Sequence, residues 1–142
     1  KFFDKMTKGE KNFLNIYGEK YSGKSHLINI FLKKFKGIKL EANSLDNKDI
    51  KDIKIYENII LENLSKETDE KLLYTLLNTI DQDNKYLIVT SSLSIVDIEF
   101  DLEDLRSRTK NFILLNIEKP DDELIFALLL KNFSDRQISI DE

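Results

Sequence analysis

Eight consecutive residues, Gly18 to Ser25, have the types and spacing of a phosphate-binding loop. They read Gly-Glu-Lys-Tyr-Ser-Gly-Lys-Ser and fit the pattern G-x-x-x-x-G-K-[ST], with Gly18, Gly23, Lys24 and Ser25 at the fixed positions. Glycine permits a sharp turn and a close approach of the backbone to a phosphate, and the loop amides then converge on the anion at a helix N-terminus. Lys24 is expected to reach the β- and γ-phosphates of a nucleotide, and the Ser25 hydroxyl to ligate Mg²⁺.

The sequence around this loop has the order that the motif requires. Residues 14–17 read as a short strand, and residues 25–35 place apolar side chains at the i, i+3 and i+4 spacing of a helix. Only four glycines occur in the chain, and two of them fall in register with the motif, which argues against a chance match. The expected nucleotide-binding residues are Gly18, Glu19, Lys20, Tyr21, Ser22, Gly23, Lys24, Ser25 and His26.

A phosphate loop of this kind needs an acidic residue at the end of a neighbouring strand, to hold Mg²⁺ directly or through water. The best candidate is Glu62, which follows the apolar run Ile59-Ile-Leu61. A second acid usually comes next, as the base that orients the attacking water, and here that position holds Asn63. An amide can hydrogen-bond a water but cannot take its proton, so the sequence supports nucleotide binding better than hydrolysis. The alternative for Glu62 is a solvated acid at a strand end.

Three hydroxyl residues, Thr90, Ser91 and Ser92, end the predicted strand that contains Tyr86 to Val89. A polar side chain at this place can hydrogen-bond the γ-phosphate or the attacking water. Hydroxyl residues also form turns at strand ends, so the sequence leaves both roles open.

Arginine is rare in this chain and clustered. Of 22 basic residues only Arg106, Arg108 and Arg136 are arginine, and two of these lie in the segment Asp104-Leu-Arg-Ser-Arg108. Arginine suits planar, bidentate contact with phosphate, as in an arginine finger that reaches a neighbouring protein's nucleotide. The alternative is an ordinary surface ion pair with an acid at position 101, 103 or 104.

Composition limits the class of protein. The chain has 142 residues, 41% hydrophobic and 34% charged, which indicates one soluble globular domain rather than a disordered chain. The absence of cysteine excludes disulfides and thiolate metal sites and is compatible with a reducing cytoplasm, where we expect the protein. No apolar run is long enough to span a membrane. The net charge of −4 gives no general attraction to nucleic acid and disfavours direct DNA binding by this chain.

Strand-like and helix-like segments alternate and predict an α/β fold with a mainly parallel sheet. Strands are predicted over 12–17, 38–42, 54–61, 85–90 and 112–117, and helices over 25–36, 44–51, 69–80 and 102–108. Gly37 is expected to end the first helix as its C′ residue, and Ser44 to cap the second. We assign 1–118 to a nucleotide-binding core and 119–142, with Pro120 at a helix start, to the beginning of a second, helical part that truncation cuts short.

These segments together resemble the AAA+ ATPases, and more closely the DnaA/Hda family of bacterial replication initiators and their regulators. The resemblance covers roughly residues 12–142. The segments that carry it are Gly23-Lys-Ser-His-Leu27, Asp69-Glu-Lys-Leu-Leu-Tyr-Thr-Leu-Leu-Asn78, Leu87-Ile-Val-Thr-Ser-Ser92, Asp104-Leu-Arg-Ser-Arg108, Pro120-Asp-Asp-Glu123 and Ser134-Asp-Arg-Gln-Ile138.

The resemblance implies a P-loop NTPase of the AAA+ type, with a five-stranded parallel sheet of order 5-1-4-3-2, flanking helices and a helical lid that starts in 119–142. ATP or ADP and Mg²⁺ are the implied cofactors, with the metal held by Ser25 and Glu62, while His26 is a structural residue of the loop helix. The implied roles are Walker A for Lys24 and Ser25, Walker B for Glu62 and Asn63, sensor 1 for Ser91 or Ser92, and an arginine finger in trans for Arg108.

The same resemblance implies a role in replication. The leading hypothesis is an Hda-like regulator that binds ATP or ADP and acts on a DnaA-like initiator ATPase. The sliding clamp is a further partner in that family, although the clamp-binding peptide of the regulators does not occur in residues 1–11. Self-association through AAA+ interfaces fits the fold, and no membrane partner is expected. The alternatives are the ATPase core of a DNA-binding initiator or helicase loader, and an interaction module that has lost hydrolysis, which Asn63 favours.

Overall fold

Five parallel strands form a single sheet at the centre of the protein. The computed structural model describes residues 12–18, 28–29, 32–33, 36–117, 128 and 131. The strands are β1 (Phe13–Tyr17), β2 (Gly37–Glu41), β3 (Asn58–Leu64), β4 (Tyr86–Ser91) and β5 (Ile113–Asn116). Their order is β2-β3-β4-β1-β5, and each neighbouring pair is parallel. The predicted α/β class and the strand order 5-1-4-3-2 are therefore confirmed.

The helices between the strands fall close to their predicted positions. They are α1 (Asn47–Asp52), α2 (Glu70–Gln82) and α3 (Glu103–Thr109), with short 3₁₀ turns at 42–44, 53–55 and 95–97. Residues 28–29 and 32–33, in the helix predicted after β1, are helical, as are Leu128 and Lys131; the assignment of 119–142 to a lid otherwise lies outside the described residues and stays a prediction. Within the described part, no helix combines the length and apolar composition needed to cross a bilayer.

Apolar side chains cover the sheet on both faces, as expected for parallel strands that carry crossover helices. On one face, here called the Leu76 face, alternate strand residues such as Leu61 and Val89 pack against α2 and α3. On the other, called the Ile28 face, residues such as Ile60 and Ile88 pack against the helical segment after β1. The central strand β4 is buried along its whole length, so polar functional groups can emerge only at its ends.

The helix predicted to start at Ser44 starts later, at Asn47, and Ser44 is not its cap. Ser44 ends a 3₁₀ turn, and Asp46 is the N-cap. The Asp46 carboxylate accepts from Asp49 N–H and the Asp49 carboxylate accepts from Asp46 N–H, both at 3.0 Å, which completes a reciprocal capping box. A charged cap with a reciprocal partner satisfies two helix-end donors, whereas Ser44 would satisfy one.

Gly37 does not serve as a helix C′ residue but opens β2. A Cβ at this position would lie 2.8 Å from the Asn58 carbonyl oxygen and 2.9 Å from Leu32 Cδ2. The residue therefore has no side chain because β2, β3 and the helix after β1 converge here. Sequence patterns alone do not distinguish a glycine required by packing from one required by a left-handed backbone.

Glu70, the first residue of α2, holds the segment that leads into α3. Its carboxylate accepts the backbone N–H groups of Asp101 (3.0 Å) and Leu102 (2.8 Å) and lies 3.4 Å from the ammonium of Lys66. Burial by itself would raise the pKa of this carboxyl, but the two N–H donors and Lys66 outweigh burial and hold the pKa below its ordinary value. The ionised form of Glu70 therefore stabilises the fold.

Replacing Glu70 with Gln is expected to lower the free energy of unfolding at neutral pH by about 1–2 kcal/mol, because two backbone donors lose a charged acceptor. Since the folded-state pKa is lowered, this contribution is present above the unfolded-state pKa and disappears as the pH falls through the folded-state pKa. Thermal unfolding across the acid range should show the difference between wild type and Glu70→Gln shrinking with acid. Glu67→Gln, at an exposed neighbour, is the control, and a difference that does not change with pH would contradict the assignment.

Gly18, at the start of the predicted phosphate loop, lies against the end of β5. A Cβ on this residue would overlap the carbonyl oxygen of Ile117. That carbonyl cannot simply withdraw, because Ile117 N–H donates to the Tyr17 carbonyl at 2.8 Å, while Gly18 N–H donates to the Ser91 carbonyl at 3.2 Å. Close approach of two backbones is thus the structural reason for glycine here, in addition to the turn that the sequence indicated.

Gly18→Ala is expected to lower the free energy of unfolding by about 1–3 kcal/mol, as overpacking of a fixed site does. The midpoint of urea unfolding measures this change. Ser92→Ala, an alanine substitution at an exposed position of the same sheet edge, is the matched control and should change the midpoint little. An unchanged midpoint for Gly18→Ala would show that the end of β5 can move.

Candidate functional site

The carboxyl ends of β1, β3 and β4 meet at one edge of the sheet, the edge at which α/β proteins bind ligands. Two hydrogen bonds link β4 to its neighbours at this edge. Gly18 N–H, directly after β1, donates to the Ser91 carbonyl (3.2 Å), and Asn63 N–H, near the end of β3, donates to Thr90 Oγ1 (3.0 Å). The start of the predicted phosphate loop is therefore held beside the predicted acidic and hydroxyl residues. The loop residues that lie outside the described part are Glu19, Lys20, Tyr21, Ser22, Gly23, Lys24, Ser25 and His26.

Glu62 lies on the Ile28 face, because it alternates with Ile60 along β3. Its side chain is 16% exposed, and its Oε1 atom is 3.7 Å from the Lys39 ammonium on β2. A partly exposed pair of this length contributes at most about 1 kcal/mol, so it does not lock the carboxylate in place. Glu62 thus offers carboxylate oxygens, the ligands that Mg²⁺ prefers, on the face covered by the helix that follows β1.

Asn63 occupies a β-bulge rather than a regular strand position. The register between β3 and β4 shifts after Leu61, and the Asn63 φ angle is 62°. Its side-chain amide donates to Glu41 Oε2 on β2 at 3.0 Å. Because β2 is the edge strand on the far side of β3 from β4 and β1, the amide is directed away from the start of the phosphate loop. Asparagine suits the site because it adopts left-handed backbone angles more readily than most residues do.

The three hydroxyl residues at the end of β4 are directed to different places. Thr90 alternates with Ile88 and so shares the Ile28 face with Glu62, where its buried hydroxyl accepts from Asn63 N–H. Ser91 is on the opposite face, where its hydroxyl donates to the Leu93 carbonyl and accepts from Asn15. Ser92 is exposed. Thr90 is thus the hydroxyl residue on the same face as Glu62, although the resemblance placed sensor 1 at Ser91 or Ser92.

Asn15 is a fully buried polar residue in the centre of β1 that the sequence reading did not single out. Its amide donates to the Val89 carbonyl (3.1 Å) and to Ser91 Oγ (3.0 Å), and its oxygen accepts from Ile95 N–H (2.8 Å). These bonds fix the segment after β4 from inside the protein. The feature of the sequence that could have identified Asn15 is its amide side chain within the otherwise apolar strand Phe13-Leu-Asn-Ile-Tyr17.

The two clustered arginines both have partners within the described residues. Arg106, within α3, donates to the carbonyls of Phe100 (2.7 Å) and Asp101 (3.0 Å). It therefore holds the segment that precedes its own helix. Arg108 lies 3.1 Å from Asp81 Oδ2 and 5.9 Å from the ring centroid of Tyr74, both on α2. The ion pair of Arg108 is therefore with Asp81, and not with an acid at position 101, 103 or 104.

Comparison with known proteins gives matches in structure only. No protein-family model and no curated protein matches the chain. Among solved structures, the replication initiator DnaA bound to AMPPCP and single-stranded DNA has a TM-score of 0.64 at 21% identity, covering 87% of this chain and 47% of that one. AMPPCP-bound DnaA from Aquifex aeolicus has a TM-score of 0.62 at 20% identity, covering 82% and 44%.

Domain III of the Thermotoga maritima replication initiation protein DnaA has a TM-score of 0.55 at 19% identity and covers 84% of this chain and 60% of that one. The chain therefore spans less than half of the two longer DnaA structures. At these identities the likeness concerns the arrangement of the backbone. Together with the strand order 5-1-4-3-2, it shows that the chain has the fold of these DnaA domains.

Proposed function

We propose that this protein binds ATP or ADP with Mg²⁺ at Gly18–Ser25 and regulates initiation of chromosomal replication by acting on a DnaA-like initiator ATPase. The observation that carries the nucleotide site is the convergence at one sheet edge of the loop start, the Glu62 carboxylate and the Thr90 hydroxyl. The replication context is supported by the DnaA-like fold, and the nucleotide by two of the matched DnaA proteins, which are bound to AMPPCP.

The residues at this edge fit a magnesium nucleotide. A divalent cation supplies charge neutralisation between phosphate oxygens when it is bound. Lys24 and Ser25 would contact the phosphates and the cation, Glu62 would add a carboxylate directly or through water, and Thr90 would hydrogen-bond on the same side. Within the described residues no group of three or more acidic or histidine side chains forms a separate metal cage, which suits a cation held largely by the nucleotide itself.

Hydrolysis is proposed to be slow, and the reason is geometric as well as chemical. The residue after Glu62 is an amide, and this amide is hydrogen-bonded to Glu41 on the edge strand. It therefore neither takes a proton nor lies beside the loop start. A protein that retains its nucleotide in this way is better suited to act on another ATPase than to turn over by itself.

Arg108 is the residue proposed to contact the partner's nucleotide. Its ion pair with Asp81 is on the surface, with the Asp81 side chain 62% exposed, and such pairs contribute about 0–1 kcal/mol. A partner's phosphate can therefore replace Asp81 at little cost, because a bidentate arginine–phosphate contact is stronger. The sliding clamp as a further partner rests on the family resemblance alone.

The nucleotide site can be tested by calorimetry with ADP and ATP in the presence of Mg²⁺. We expect micromolar or tighter binding, a loss of at least about tenfold in Lys24→Ala, and a smaller loss in Glu62→Gln that depends on Mg²⁺. Lys39→Ala is the control, because it removes a charge beside Glu62 without removing an expected ligand. A folded protein that binds neither nucleotide would overturn the proposal.

Arg108→Ala should leave nucleotide binding intact and abolish stimulation of a partner ATPase.

Asn63→Asp tests the geometric explanation for slow hydrolysis. The new carboxylate would face Glu41, so we expect stability to fall by about 1 kcal/mol and the hydrolysis rate to stay within about twofold of wild type. The double variant Glu41→Gln/Asn63→Asp should recover stability, again without hydrolysis, because its bulge still directs the side chain towards β2. Asn63→Gly, which tolerates the positive φ angle, is the neutral control. An increase in turnover of about tenfold or more in Asn63→Asp would contradict this explanation.

A further inference from the structure

A cleft of about 320 Å³ lies between the segments that follow β3 and β4. Its apolar lining comes from Leu64, Leu93 and Ile98, and its polar lining includes Asp97 and Glu99. Leu64 and Ile98 belong to the apolar cluster of the Leu76 face. Glu62 and Thr90 of the proposed nucleotide site lie on the other face, the Ile28 face, whereas Ser92, a sensor 1 candidate by resemblance, is part of the cleft lining.

The segment that forms one wall of this cleft is held by buried hydrogen bonds and exposes apolar side chains. Buried Asn15 holds it through Ser91 Oγ and through Ile95 N–H, and the Ser91 hydroxyl holds the Leu93 carbonyl. Leu93 nevertheless remains 57% exposed and Val96 44% exposed. These bonds hold the backbone on either side of Leu93 while its side chain stays in contact with solvent. A preorganised loop that presents apolar groups beside a cleft is typical of a binding surface.

The charges around the cleft select the kind of partner. Asp97 and Glu99 are exposed and have no ion pair or side-chain hydrogen bond within the described residues. Among the described lining residues the one cation is Lys66, which is already shared between Asp101 (3.0 Å) and Glu70 (3.4 Å). The cleft thus presents two uncompensated negative charges above an apolar floor. This arrangement repels phosphate and nucleic acid and favours a cationic, partly apolar ligand.

We propose that this cleft is a docking site for a peptide segment of a partner protein in which a large apolar side chain is flanked by lysine or arginine. The apolar side chain fills the space between Leu64, Leu93 and Ile98. The flanking cations pair with Asp97 and Glu99 at the rim. Docking here does not require nucleotide, so it is independent of the function proposed for the opposite face.

The test measures binding of a fluorescein-labelled peptide with a central Leu-Phe pair flanked by lysines to the full chain, by fluorescence anisotropy. We expect saturable binding that weakens with salt. Leu93→Ser and the double variant Asp97→Asn/Glu99→Gln should each weaken it by about tenfold, since each removes one of the two recognition elements. A peptide with glutamates in place of the lysines should not bind.

Matched controls are available at the opposite edge of the sheet. Ile55, 82% exposed in the turn before β3, provides Ile55→Ser as an equivalent loss of exposed apolar surface. Glu57→Gln/Asp83→Asn removes two negative charges, as Asp97→Asn/Glu99→Gln does. Its residues precede β3 and β4, at the edge of the sheet away from the cleft. Both controls should bind the peptide as wild type does.

Three outcomes would overturn the proposal. One is the absence of peptide binding by a protein whose melting temperature is normal. Another is an equal loss of binding in the cleft and control variants, which would indicate attraction by net charge alone. The third is concentration-dependent dimerisation that Leu93→Ser abolishes, measured by analytical ultracentrifugation, because a second copy would then be the occupant.

Discussion

Burial of β4 on both faces is the constraint on which the rest of the structure depends. All six residues of this central strand are buried, and it lies between β3 and β1. Charged and polar groups therefore cannot be placed along it, and they collect where it ends. At that end Thr90 accepts from Asn63, and the Ser91 carbonyl accepts from Gly18. One buried strand thus sets the relative positions of the loop start, the acidic residue and the hydroxyl group.

Neutral side chains make the buried polar connections around this strand, namely the hydroxyls of Thr90 and Ser91 and the amides of two asparagines. Asn15 links β1 to the segment after β4, and Asn58 donates to the Lys36 carbonyl at 3.1 Å where β3 begins. An amide carries donors and an acceptor without the desolvation cost of a charge, so it can replace backbone pairing inside the core. The buried cation Lys85 is the exception, and its ammonium reaches the carbonyls of Lys54 (3.2 Å) and Tyr56 (2.7 Å) at the opposite edge.

The fold could be predicted from sequence to a large extent because its signals are local and repeated. Apolar runs marked the five strands, and the heptad-like apolar face of α2 marked the longest described helix. The sequence could not predict features that depend on residues distant in the chain. Gly18 is required by Ile117, and Asn63 is held by Glu41. Competition between nearby polar residues also decided that Asp46, and not Ser44, caps α1. Of the candidate site, the sequence predicted that Glu62 and the hydroxyl residues lie towards the carboxyl ends of β3 and β4, where the structure has them. Their roles stay predictions, and the face on which each side chain lies required the strand register.

The two faces of the sheet carry different chemistry, and Asn15 is the residue that connects them. Its backbone belongs to β1, three residues before the phosphate loop begins at Gly18, while its side chain ends at the segment that exposes Leu93. A shift of β1 along its axis would therefore have to break the buried bond to Ile95 or carry that segment with it. Breaking the bond would leave a buried amide oxygen without a donor, which costs about 1–3 kcal/mol. Joint movement is the less costly path, so a displacement of β1 would carry the segment that exposes Leu93 with it rather than be absorbed by the core.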